Sequence, residues 1–452
     1  MKIVILGGGI SGLAFYLYLQ KEGLTQTHDI TIYDSRDLSS TALNQPLNLT
    51  GTASNIGDSN TDYTAPIYDA SKIGGALGLA ANGLGVLRRL DRVLLDEVMR
   101  TGHVTKIWRL ANARGWTLSL IRMVGEDEGV MLLREELWRV LRKRVPDEVV
   151  RRGKVVRIDL KGEGARTRVR FEDGQDVEAD LVVGADGIWS PTRKAMFEGQ
   201  GPNGEYQFAP HYEGLVGVGG YLPASQIHNV PDGQMNVVFG KNGFFGYGYA
   251  SSVPEDPSKH GDIAVWWSTH SLKECPSDWR NIDLDEVNQD LKARHKDWND
   301  KTVQNIIKSA NVPHLWPTFT TPLLPSWSCP GAVLIGDAAH ALTPSSSQGA
   351  SMALEDSETL ALLLAHHLGK SGADGTSLAL KQYDELRIPR LDMIHKKSQE
   401  TSSMKQDMNV MEEFIMYFFI WLMGYLRANE KYQKAVQSYD VRKEVEKILA
   451  KH

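Results

Sequence analysis

Residues 2–22 read KIVILGGGISGLAFYLYLQKE, and this stretch decides the fold. Lys2 to Leu6 is a short apolar run rich in β-branched residues, Gly7, Gly9 and Gly12 space out as GxGxxG, and Leu13 to Glu22 continues with helical periodicity. Strand, tight turn and helix is the order in which a Rossmann unit opens. Gly7 permits the turn, Gly9 lets backbone approach a pyrophosphate, and Gly12 lets the helix pack on the strand. Ser11 shares the first helical turn, where free N–H groups and the helix dipole favour phosphate charge. A second apolar run, Ile30-Thr-Ile-Tyr-Asp34, ends in an acid roughly 20 residues beyond the glycines, where a carboxylate can take ribose hydroxyls. Gly7, Gly9, Ser11, Gly12 and Asp34 therefore form a candidate dinucleotide site, one that does not by itself choose between NAD and FAD.

Further along, residues 331–340 read GAVLIGDAAH, a buried strand over Ala332 to Ile335 that ends in Gly-Asp; Pro344 follows, and Gln348-Gly349-Ala350-Ser351 opens a helix through Leu364. Ligands of a parallel sheet lie beyond the carboxyl ends of its strands, so Asp337 is placed for ribityl or pyrophosphate oxygens. A helix starting at Gly349 and Ala350 aims free N–H groups at the pyrimidine end of a flavin and stabilises negative charge there during reduction. That need belongs to FAD, not to a nicotinamide. Leu181-Val-Val-Gly-Ala-Asp186-Gly187, followed by Ser190 and Arg193, repeats the theme of a strand ending in Asp-Gly. It comes after a meander over Val155 to Leu160 and Thr167 to Phe171, with Asp173-Gly174 as the turn, which predicts a place beside the Rossmann strands.

The three motifs together, GxGxxG at 7–12, GADGxxSxxR at 184–193 and GDAAHxxxP at 336–344, resemble the class A flavoprotein monooxygenases with the para-hydroxybenzoate hydroxylase fold, over residues 1 to about 400. The resemblance implies that Asp34 and the glycines hold the ADP half of FAD, that Asp337 meets the ribityl-pyrophosphate region, and that Asp186 sits beside FAD and the arriving NADPH or NADH. It implies that Arg134, in Leu133-Arg-Glu-Glu-Leu137, reaches toward the flavin, and that the segment from Ile73 to Asn82, with Gly75, lies over it. Tyr383 to Arg390 (YDELRIPR) matches a pattern that braces structure. The implied chemistry is reduction of FAD by NAD(P)H, addition of O2 at flavin C4a, and transfer of the distal oxygen of that hydroperoxide to a small-molecule substrate. Two departures stand out: Ser347 where many members have the first glycine of GQG, and Ala81 where many have proline.

Between Glu205 and Pro325 aromatic and small residues alternate, which predicts an antiparallel sheet. In Gly243 to Ala250 (GFFGYGYA) period two puts Phe245, Tyr247 and Tyr249 on one face and Phe244, Gly246, Gly248 and Ala250 on the other. A glycine face suits a flat ligand and an aromatic face suits a core, and the pattern leaves open which lines a pocket; Trp266-Trp267 poses the same question. A base for a phenolic substrate would come from this sheet, with His211, Tyr221 and Tyr247 the candidates by residue type. The sheet's aromatic character points to an apolar aromatic or polycyclic substrate of secondary metabolism, hydroxylated or epoxidised. The long polar stretch from Ser35 to Lys72 is read as an ordered flap, a lid over the substrate, with a disordered connection as the alternative.

The whole is read as α/β with an α+β second domain: a discontinuous FAD-binding domain over 1–100, 130–204 and 326–400, a substrate-binding sheet domain over 101–129 and 205–325, and a C-terminal helical segment over 401–452. The 452 residues are 42% hydrophobic, enough for two cores, and 50 Lys and Arg against 56 Asp and Glu leave a net charge of −6 with no basic block, which disfavours nucleic acid. Cys275 and Cys329 have no metal or disulfide spacing, so no metal site is expected and a cytoplasmic setting fits. Gly7 interrupts the N-terminal apolar run too early for a signal peptide. Phe414 to Leu426 (FIMYFFIWLMGYL) falls short of the ~20 residues of a membrane helix and is expected to be a buried core helix, with a membrane-surface or dimer contact as the alternative. A monomer or homodimer is compatible with all of this. A flavin oxidase or cyclase, or a non-catalytic FAD-fold binding protein, is the alternative reading.

Overall fold

The computed structural model describes residues 1–39, 75–123, 129–160, 166–201, 204–276, 282–310, 312, 314–402, 408–427 and 430–451. The stretch expected to form a lid falls almost wholly outside these residues, as do Ile73 and Gly74.

A helix between consecutive apolar runs carries the chain back so that the runs can pair in parallel, and the first sheet is built mainly that way. Its six strands lie in the spatial order Ser328–Cys329, Ala332–Leu334, Leu181–Gly184, Lys2–Leu6, Asp29–Asp34, Val150–Arg152, parallel throughout except for the antiparallel Ser328–Cys329 edge. The registers Ile3 to Leu181, Leu6 to Gly184 and Gly184 to Leu334 bring the carboxyl ends of the central strands to one rim. Both faces are covered, so the strands are buried almost end to end. The Ile10–Lys21 and Gly349–Ser371 helices pack on each other over one face. The meander of Val155–Asp159, Thr167–Phe171 and Asp176–Ala179 forms its own three-stranded antiparallel sheet and feeds the Leu181–Gly184 strand beside Lys2–Leu6.

The second large sheet has seven strands in the order Leu315–Thr320, His211–Pro223, Ile263–Ser271, Gly243–Tyr249, Gln234–Gly240, Ile107–Asn112, Thr117–Arg122, antiparallel except where Gln234–Gly240 meets Ile107–Asn112. The Leu284–His295 and Lys301–Ser309 helices cover one face, and Phe245, Tyr247, Trp266, Val303 and Ile306 fill the core between. Phe245 stacks on Trp266 with ring centroids 5.5 Å apart. This settles the choice left open by alternation: the aromatic face is core and the glycine face looks the other way. A three-stranded antiparallel sheet, Ala76–Leu79, Gly129–Leu133 and His103–Thr105, bridges the two large sheets.

The expectation of a buried C-terminal helix is corrected. The helix Val410–Tyr425 buries only Met416, Tyr417 and Ile420, against Val237, Phe239 and Phe244, while Phe418 and Trp421 remain 54% and 47% exposed. Its composition is apolar all round, but the sheet it packs on contacts only one side. Among the described residues no helix is long and apolar enough to cross a membrane.

Candidate active site

The parallel sheet decides where the three acids go. Asp34 ends the Asp29–Asp34 strand, Asp186 follows Gly184 by two residues, and Asp337 follows Leu334 by three, so all three stand along one rim of the sheet, with the Lys2–Leu6 strand between the first and the other two. They line one cavity of about 2370 Å³ together with Gly7, Gly9 and Ser11. Gly75, Arg134, Gly349 and Ala350 line it too. Gly12 does not: it lies behind, where a Cβ would stand 2.0 Å from the Gly7 carbonyl oxygen. Gly7 has φ +107°, and a Cβ there would meet the Ala185 carbonyl oxygen at 2.2 Å, so two chain crossings depend on the absent side chains.

The glycine loop is fixed from outside the motif. The Asp34 carboxylate accepts from the Gly8 N–H at 2.8 Å and from the Arg36 N–H at 2.8 Å, and the Trp138 indole N–H donates to the Gly8 carbonyl at 2.8 Å. Trp138 was not anticipated; the available signal is its place one turn after Arg134. Arg193 explains the GADGxxSxxR spacing: buried, it donates to the Ala338 carbonyl at 2.7 Å and to the Ile188 carbonyl, clamping the Asp186 loop to the Asp337 loop. Asp186 accepts from the Thr192 N–H at 3.0 Å and hydroxyl at 2.6 Å through Oδ2, whereas its buried Oδ1 has no partner among the described residues. Desolvation pushes the Asp186 carboxyl above the usual carboxylate range, with the Ser190 and Thr192 contacts opposing.

Beneath the rim the start of the Gly349–Ser371 helix is held by buried charge. Gly336, at φ +63°, donates its N–H to Asp356 at 2.9 Å, and Asp356 also pairs with His340 at 2.6 Å and Arg387 at 2.8 Å. Glu355 binds Arg387 at 2.7 Å, Arg390 at 3.0 Å and the Asn82 amide at 2.7 Å, and Asn82 in turn reaches Gln348 at 2.9 Å. Desolvation opposes ionisation of both acids, and the surrounding cations outweigh it and hold both carboxyls below their ordinary range. Tyr383 completes the brace by donating to the Leu334 carbonyl at 3.1 Å. The two departures find their reasons here. Ser347 adopts φ +49°, where glycine avoids a strain of about 1 kcal/mol. Ala81 is the first residue of the Ala81–Leu90 helix, a place that accepts proline or alanine alike.

The other end of the cavity is the glycine face of the seven-stranded sheet, with Val237, Phe239, Phe244, Val265 and Trp267 on it. The Trp267 ring lies over Gly246, where a Cβ would fall 2.1 Å from it. Of the three candidate bases, Tyr221 alone lines the cavity. Burial pushes its phenol far above its ordinary value, so at neutral pH it stays a neutral phenol, suited to a hydrogen bond and not to taking a proton. Tyr247 is buried on the opposite face among Phe245 and Trp266, and His211 begins its strand exposed and outside the cavity. Period two sends Tyr247 away from the glycine face, and the exposed start of a strand keeps His211 in solvent.

The residues present fit FAD. Open space at Gly9, Gly75 and Gly349 leaves backbone accessible, two helix N-termini face one cavity, and the unpartnered Asp186 Oδ1 awaits a donor. The family model for the FAD binding domain matches residues 132–398. Zeaxanthin epoxidase from Oryza sativa subsp. japonica is 25% identical over 415 residues, covering 87% of this chain and 54% of the relative, so the chain spans about half the length of such relatives. 3-Amino-4-hydroxybenzoate 2-monooxygenase PtnB3 from Streptomyces platensis is 29% identical over 409 residues, covering 88% of this chain and 87% of the relative. The structure of Klebsiella pneumoniae HpxO with FAD and uric acid superposes with a TM-score of 0.73 at 18% identity, covering 97% of this chain and 96% of that one. The carboxylate rim, the glycine cradle and the family match agree: this chain is a member of the FAD-binding domain family.

Proposed function

We propose that the protein is an NAD(P)H-dependent flavin monooxygenase that hydroxylates or epoxidises an apolar aromatic or polycyclic small molecule. One observation carries the reading: a single cavity runs from the dinucleotide rim to the apolar glycine face of the second sheet, so a cofactor and a flat substrate share one enclosure. Bound FAD supplies the redox chemistry, taking a hydride from NAD(P)H and activating O2. The chain binds, orients and excludes water. Asp34 takes the ribose hydroxyls once the exposed Arg36 side chain swings aside, the first-turn amides of Ile10–Lys21 face the pyrophosphate, and Asp337 faces the ribityl oxygens. The amides of Gly349 and Ala350 stabilise negative charge on the reduced ring, Arg134 stands at the cavity edge, and Asp186 accepts a proton-bearing group at Oδ1. On the sheet side, Val237, Phe244 and Trp267 keep the reacting region dry, and the protonated Tyr221 donates to a substrate oxygen.

The reading extends to the division into an FAD-binding part and a substrate-binding sheet with the boundaries given above. It also places the protein inside the cell, which the free thiols of Cys275 and Cys329 support. Turnover under 18O2 tests the activity. With aromatic and polycyclic candidates, substrate should stimulate NAD(P)H oxidation without matching peroxide release, and the product should carry one labelled oxygen. Oxidation that substrate never stimulates, with all reducing equivalents recovered as peroxide, contradicts it.

A further inference from the structure

The glycine face of the seven-stranded sheet gives the cavity a long apolar floor. Val265 and Thr269 both line the cavity and stand four residues apart on the Ile263–Ser271 strand, ~13 Å at the rise of an extended chain. The two ends of this floor have different neighbours. Beside Val265 lie Met131 and Ala76. Ala76 adjoins Gly75 and Met131 pairs with Gly78, so this end meets the segment read as lying over the flavin. Thr269 pairs with Phe244, and there Val237, Phe239 and Phe244 pack on Met416 and Ile420 of the Val410–Tyr425 helix. All five of these side chains line the cavity, and Met416 and Ile420 are only 7% exposed. Trp108 and Trp267 pack against both groups, so the apolar surface is continuous from the flavin end to the helix.

The helix is fixed at this end of the floor. Met416 and Ile420 lie one turn apart on the same side of it. Asn409 and Glu412 cap its first turn, Glu413 accepts from the Lys241 N–H at 3.2 Å, and the Tyr417 hydroxyl donates to the Phe239 carbonyl at 2.9 Å. These bonds tie the helix to the strand that carries Val237 and Phe239, and to the turn after it. Towards the other end Gly424 lies against Ser119, where a Cβ would come within 2.3 Å of the hydroxyl. The side chains that meet here are apolar, so an apolar group gains by entering, whereas an ionised one would give up its water for no charge partner among them.

We propose that Met416 and Ile420 form the distal wall of the substrate site, and that the substrate is elongated: a multi-ring compound with its reacting end at the flavin and its unreacted apolar end on this helix. The assignment rests on the proposed oxygenation only for which end reacts, and it is read by binding without NAD(P)H. The FAD-loaded full chain is titrated with phenol and with 1-hydroxypyrene, followed at the flavin's visible absorption band. The wild type should bind 1-hydroxypyrene at least about tenfold more tightly than phenol, and the Met416→Ala/Ile420→Ala variant should lose most of that preference. A wild type without the preference overturns the proposal. So does a variant that keeps it, or one that loses affinity for both probes equally, the mark of a purely structural role. A measurement on the unaltered chain guards against misfolding of the variant: 4-hydroxybenzophenone, photolysed in the wild-type site, should label the Val410–Tyr425 peptide, and label confined to other peptides overturns the wall. Probe binding with this pattern but no oxygenated product from either compound supports the wall and contradicts the oxygenase; oxygenated product with no size preference does the reverse.

Discussion

Gly9 caps the Ile10–Lys21 helix and Gly12 lies in its first turn, three residues on, yet a methyl group acts differently at each. At Gly12 it strikes the Gly7 carbonyl, and Gly12→Ala should destabilise the fold by about 1–3 kcal/mol in thermal unfolding. At Gly9 it meets nothing within 4 Å among the described residues, so Gly9→Ala should leave apo stability within about 0.5 kcal/mol while weakening FAD at least tenfold by flavin fluorescence titration. Equal FAD affinity in Gly9→Ala and wild type contradicts the cradle. Asp186 gives a pH prediction. Its carboxyl is raised by desolvation, so its contribution to stability is present at low pH and lost as pH rises through the raised value. Apo wild type should therefore lose stability relative to Asp186→Asn as pH rises from the acid range to neutrality, while the variant binds FAD more weakly. A Tm difference independent of pH removes this account. The acids were legible because each ends an apolar run. Trp138 was not, since its bond to Gly8 depends on which elements meet in three dimensions, nor was the Asp186 contact to Thr192, which depends on how the six-residue turn between them folds.

At the scale of elements, the Gly243–Tyr249 strand shows what alternation tells and withholds. Period two divided its residues correctly between two faces, but the choice of inner face belongs to the Leu284–His295 and Lys301–Ser309 helices, which cover Phe245 and Tyr247. Gly246 then lies beneath Trp267, whose ring lines the cavity. Gly246→Ala forces that ring to move, and steady-state kinetics should show a raised substrate KM with FAD affinity unchanged; a weakened flavin with normal KM would place the ring elsewhere. The Val410–Tyr425 helix failed in the opposite way. With no polar face there is no periodic signal, so burial and exposure read alike in the sequence, and only the seating on the Thr117–Arg122 strand shows the difference.

Across the whole molecule, Gly7, Asp34, Asp186 and Asp337 lie up to 330 residues apart and meet only because parallel pairing aligns their strand ends, a rule readable from apolar runs and their order. The buried ions under the rim were legible as residues but not as partners. Arg387→Met strips a guanidinium from Glu355 and Asp356 and should cost about 3–5 kcal/mol in unfolding, with FAD loosened at the Gly349 helix start; a cost below about 1 kcal/mol would show that the remaining partners suffice. The central claim is that FAD spans this rim with its ring directed at the glycine face. A crystal structure of the FAD-loaded protein tests it most directly. The account predicts the pyrophosphate at the Ile10–Lys21 helix start and the flavin ring between Gly349-Ala350 and the Trp267 side of the sheet. Flavin density away from that rim, or a ring turned from the sheet with Trp267 closing the cavity between them, would contradict it.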